Sequence, residues 1–206
     1  MTVLTKDILL KSVFITFFIC FLLQKATAQN WEVELLKSIN PNPPASVVWK
    51  GVSVSAEPLS LSIPIALFTV GLLEKNKSVK EQSVEVIGSL ALTTIATEGL
   101  KIIVNRQRPY EKYTDIYPYE YEKGKSFPSG HAALAFSAAT SLAIQYKKWY
   151  IVAPAYLWAA SVSYSRLYLG QHYPSDILAS AIVGSGSAWL SHKAVQWLKK
   201  RVHRPK

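Results

Sequence analysis

The sequence predicts an all-α fold, a bundle of about five to six core helices embedded in a membrane. Two observations carry that expectation. Five apolar segments, Leu59–Leu73, Val84–Val104, His131–Tyr146, Trp149–Tyr164 and Ile177–Leu190, are too long and too little alternating for strands. If the chain starts inside and crosses at the leader and then at each of these segments, the basic residues collect on one side. Glu74–Gln82, Lys147–Lys148 and the tail Lys199–Lys206 then form the inner connections, as the positive-inside rule asks. Most segments fall short of the about 20 residues that span a bilayer, so an exported soluble bundle is the competing expectation.

Taken in order, residues 1–28 read as a signal peptide or first membrane helix. Lys6 and Lys11 precede the apolar run Val13–Leu23, and Ala26-Thr27-Ala28 supplies a small-residue cleavage pattern. Residues 29–206 form the single remaining domain. It opens on a short helical pattern, Trp31–Ile39, and a proline-rich loop, Asn40–Pro44. Pro64 and Pro154 are expected to kink or start their helices. Small residues at Ser180, Gly184 and Ala188, and at Ala135 and Ala139, recur every four positions and allow close helix approach. The crossing pattern places Asn105–Pro128 and Arg166–Ser175 together on the outer side.

Composition narrows the function. Cys20 is the one cysteine in the 206-residue chain and lies in the leader, which excludes disulfides, thiol catalysis and cysteine–zinc sites. The net charge is +10. For an exported chain such an excess points to phosphates or an anionic membrane, and not to nucleic acid. His192 and His203 stand in or near the basic C-terminal end and read as surface residues.

Three motifs carry the chemistry. In the first, Lys101 and Arg108 lie about two turns apart at a helix end, with Glu98 one turn earlier as a partner for Lys101. In the second, Ser126-Phe127-Pro128-Ser129-Gly130-His131, Pro128 and Ser129 suit a helix start, whose free N–H groups form an anion site with His131 in reach. In the third, Arg166 precedes His172, and Asp176 follows it by four residues. On a helical turn that carboxylate can hydrogen-bond one imidazole nitrogen and leave the other free to attack. The same spacing suits two metal ligands, with His131 as the one good third candidate, but three adjacent cations would repel a metal ion. Three cations, an N–H nest and two histidines suit a phosphoryl group, whose charge spreads over its equatorial oxygens.

These motifs, K-x6-R-P, P-S-G-H and S-R-x5-H-x3-D, resemble those of the type 2 phosphatidic acid phosphatase and vanadium haloperoxidase superfamily. All three are present in order and without departure, and the similarity runs from about Trp31 to the C-terminus. The resemblance implies a helical bundle and a metal-free, cofactor-free phosphatase working through a phosphohistidine. It makes His172 the nucleophile, Asp176 its orienting partner and His131 the general acid. It makes Lys101, Arg108, Ser129, Gly130 and Arg166 the phosphate ligands. The expected substrate is a phosphorylated lipid or small phosphate ester, handled beside membrane lipids at the outer face of the cell envelope. A soluble exported acid phosphatase and a vanadate-dependent haloperoxidase are the alternatives.

Overall fold

The computed structural model describes the backbone of residues 25–202 and the side chains of residues 31–201. The leader expectation therefore lies outside the described residues, apart from Lys25–Ala28, which open the first helix. In chain order the helices are α1 (Lys25–Ile39), α2 (Val47–Val54), α3 (Ala56–Leu73), α4 (Lys77–Val104), α5 (Pro109–Lys112), α6 (Gly130–Tyr146), α7 (Trp149–Tyr168) and α8 (Pro174–Val202). No strand occurs among the described residues.

Local chemistry sets these boundaries. Ser46 caps α2 through Trp49 N–H, and Asn76 caps α4 by accepting from Ser78 and Val79. Asn105 and Lys147 end α4 and α6 in the left-handed conformation, both at φ 50°. Two helices run well past their apolar cores: α4 has 28 residues and α8 has 29. The expectation of short segments is corrected here. Polar stretches such as Lys77–Ser83 and Lys193–Val202 interrupt the hydropathy without interrupting the helix, since lysine and glutamate are good helix formers. Pro64 and Pro154 both sit inside helices. The Pro64 carbonyl accepts from Ser83 Oγ at 2.7 Å, which ties α3 to α4.

α6 is the central helix, packed by α3, α4, α7 and α8. Its small residues make this possible. Ala135 and Ala139 are fully buried with Ala56, Ala159 and Val162. A Cβ added at Gly184 on α8 would collide with the Ala133 carbonyl oxygen and come within 2.9 Å of Ser137 N. The small-residue repeat therefore marks a real close crossing. α1 packs across the end of the bundle, where Val33 and Leu36 meet Ile116 and Tyr173.

The outward surface is strongly apolar. Ile102, Ile103, Leu73 and Ile182 are each at least 74% exposed. Ala56–Leu73 and Lys77–Lys112 are long and apolar enough to cross a membrane, and only 22% and 28% of their most apolar windows are buried. Exposed apolar area on this scale marks a surface made for something other than water.

Candidate active site

All three motifs converge at one end of the bundle. A cavity of about 270 Å³ there is lined by Lys101, Arg108, Gly130, His131 and His172, joined by Glu57, Thr94, Glu98, Glu122 and Leu134. Lys101 comes from the last turn of α4, Arg108 from the step into α5, and Gly130 and His131 from the first turn of α6. Ser129 caps α6, its Oγ accepting from Ala132 N–H at 3.5 Å, and is fully buried. A Cβ at Gly130 would lie 3.8 Å from Lys101 Nζ, so the first two motifs meet there. Lys101 is paired with Glu98 at 2.7 Å, as its spacing predicts.

His172 is 2% exposed and lies two residues before α8 begins. Its Nδ1 is 2.7 Å from the Ser126 carbonyl oxygen. A carbonyl only accepts, so Nδ1 carries the proton and Nε2 keeps its lone pair. Nε2 faces Arg166 Nη2 at 3.5 Å. Asp176 Oδ2 is 3.6 Å from Nδ1, too far for the direct hydrogen bond expected from the i, i+4 spacing. The reason is that His172 stands outside the helix, so helical register does not apply to the pair.

Asp176 instead acts through the neighbours of His172. It is fully buried and accepts from Ser126 Oγ at 2.5 Å, from Tyr173 N–H at 2.9 Å and from Arg106 at 2.7 Å. Ser126 is thus held by Asp176 on its side chain while its carbonyl holds His172. Arg106 continues the network, pairing with Glu32 of α1, donating to Ser175 Oγ at 2.7 Å and stacking 3.7 Å over the Tyr173 ring. Burial pushes the His172 imidazole down to about 4, opposed by the Asp176 carboxylate and reinforced by the Arg166 guanidinium. The ring is therefore neutral at ordinary pH.

Arg108 and Arg166 are both nearly fully buried. Arg166 Nη1 donates to Ser53 Oγ at 2.8 Å, and its Nη2 donates to both Glu122 oxygens at 2.6 and 2.7 Å. Arg108 Nη2 pairs with the same carboxylate at 3.1 Å, while Nη1 reaches the Gln171 carbonyl and side chain at 3.2 Å. Burial pushes the Glu122 carboxyl up, but Arg166 and then Arg108 outweigh it and hold the group below the usual carboxylate range. His131 lines this cavity and a second one of about 260 Å³ with Lys50, Ser53, Tyr119, Glu122 and Arg166; its Nε2 is 3.9 Å from Glu57.

Glu122, Arg106, Ser126, Gln171 and Glu32 are site residues that the motifs did not identify. Arg106, Ser126 and Gln171 lie inside the three motifs without a role of their own there, and Glu122 belongs to the loop Tyr110–Lys125, which is rich in tyrosine and mixed in charge. His192 is corrected as well. It is no free surface group, since its Nδ1 is 3.0 Å from buried Glu85. His203 lies outside the described residues.

The chain is 37% identical over 109 residues to the lipid A 4'-phosphatase of Bacteroides thetaiotaomicron, which covers 50% of this chain and 48% of that protein. The match thus spans about half the length of that relative. Against the undecaprenyl-diphosphatase of Sulfolobus acidocaldarius the identity is 29% over 174 residues, 81% of this chain and 78% of the relative. The crystal structure of a transmembrane PAP2 type phosphatidylglycerolphosphate phosphatase from Bacillus subtilis superimposes with a TM-score of 0.66. That match covers 95% of this chain and 98% of the other at 22% identity, and shares the fold. The PAP2 superfamily signature matches residues 82–200, which hold all three motifs, and the chain belongs to that superfamily.

Proposed function

We propose that this chain is a membrane phosphatase that hydrolyses phosphate monoesters or diphosphates of lipids through a phosphohistidine on His172. The observation that carries the lipid reading is the shape of the site. Glu57, Thr94 and Leu134 line both the His172 cavity and an adjoining apolar groove of about 460 Å³ formed with Leu61, Pro64, Ile87 and Leu90. A charged headgroup and an apolar tail are accommodated side by side, where a soluble phosphate ester would leave the groove unused. The matched relatives are named for lipid A and undecaprenyl diphosphate, both phosphorylated amphiphiles. Neither the soluble acid phosphatase nor the haloperoxidase alternative is favoured by these names or by the exposed apolar surface.

In the first step His172 Nε2 attacks phosphorus as the bond to the leaving oxygen breaks, and His131 gives that oxygen its proton. Water then attacks the phosphohistidine, His131 takes a proton back, and the P–N electron pair returns to Nε2. Lys101, Arg108, Arg166 and the N–H groups at the start of α6 balance the charge on the equatorial oxygens. Ser129 contributes by fixing that helix start, and Asp176 by fixing Ser126. The positive-inside pattern supports placing this end of the bundle outside the cytoplasm.

The test is phosphate release in detergent without added metal, from phosphatidate, phosphatidylglycerol phosphate, a polyprenyl diphosphate and a soluble aryl phosphate. Lipid phosphates are expected to be the better substrates, and His172→Ala to lose at least about 10³-fold in kcat. Undiminished turnover by folded His172→Ala would sink the mechanism.

A further inference from the structure

The two buried arginines already hold an anion. Glu122 Oε1 and Oε2 lie 2.6 and 2.7 Å from Arg166 Nη2, and Oε2 lies 3.1 Å from Arg108 Nη2. The carboxylate borders both the His172 cavity and the neighbouring cavity that Arg166 lines. An oxyanion presented to His172 by these arginines must displace it. The backbone of Glu122 is pinned, since Tyr110 Oη accepts from its N–H and donates to its carbonyl, both at 3.2 Å. The displacement is therefore a swing of a flexible side chain and needs no opening of the loop.

We propose that Glu122 is a specificity-determining residue: its carboxylate is the resting ligand of Arg108 and Arg166, and substrates bind by exchanging with it. The inference rests on reading those arginines as phosphate ligands. Exchange acts as a charge filter. A singly charged ester replaces one negative charge with another and gives up short, charge-assisted bonds, so it gains little. A terminal phosphate dianion brings one more charge and a third oxygen, which reaches toward Lys101 and the N–H groups of α6. For a protein set in a bilayer the distinction matters, because intact phospholipids are phosphodiesters and surround the site in great excess. Without the filter they would compete for the arginines.

The experiment measures equilibrium binding of inorganic phosphate and of dimethyl phosphate to the full chain in detergent, at mildly alkaline pH where phosphate is mainly a dianion. The wild type is expected to bind phosphate and to exclude dimethyl phosphate. Glu122→Gln is expected to bind phosphate on the order of tenfold more tightly and to gain binding of dimethyl phosphate. Should that variant fail to fold, Glu122→Asp keeps the charge on a shorter stem and should move both affinities in the same direction by less. Equal or weaker phosphate binding in a folded variant, or continued exclusion of the diester, overturns the inference. Because binding needs no turnover, the two readings fail separately. Binding as described without lipid phosphate hydrolysis overturns the activity alone, while an active enzyme unchanged by Glu122→Gln overturns the filter alone.

Discussion

At the scale of residues, His172 is buried as a neutral ring, and this has a measurable consequence for stability. Its ordinary value is 6.5 and its folded value about 4. Below the ordinary value the unfolded chain takes up a proton that the folded chain refuses. Stability is therefore full above that value and is lost progressively as pH falls toward about 4. Denaturation midpoints measured across this window should slope for the wild type and run flatter for His172→Gln; equal slopes would refute the assignment. The two histidines and the cations Lys101 and Arg108 that line the cavity were legible because each sits in a motif whose spacing has a chemical meaning. Ser126 was not. Its role depends on its carbonyl, which every residue carries, and no side-chain pattern announces where a carbonyl will point. Glu122 was hidden for a similar reason, since its partners lie 14 and 44 positions away and a loop has no periodicity to align them.

Helices were legible where an unbroken apolar run marks them and less so at their ends. The five apolar segments all became helices, but α2 and α5 were missed: eight residues and four residues are too few to display a period. The small-residue repeat on α8 predicted a close crossing, and Gly184 shows how close. Gly184→Ala should destabilise the bundle by about 1–3 kcal/mol, because the atoms its Cβ meets belong to the α6 backbone and cannot rotate away. Gly186→Ala, with open space around the added Cβ, should be neutral or slightly stabilising through helix propensity. Unfolding in mixed detergent would compare them; equal effects would refute a backbone contact at Gly184.

For the whole molecule, the fold class followed from segment length and charge placement, while membrane location drew on a feature no segment shows alone. Apolar side chains such as Leu73, Ile95, Ile103 and Ile182 remain exposed after the helices have packed. A soluble monomer rarely leaves so many large apolar side chains facing water. The chain should accordingly stay with the membrane fraction through an alkaline carbonate wash, and release into the supernatant would refute spanning. The polar cavity and the apolar groove share a wall at Thr94 and Leu134, so the proposed hydrolysis would divide one amphiphile there into two pieces with opposite solubilities. Inorganic phosphate would depart into water and the lipid remnant would slip sideways into the bilayer. Once separated between two phases, the products would have little chance of meeting again, and the site would work as a ratchet whose direction is set by where each product dissolves.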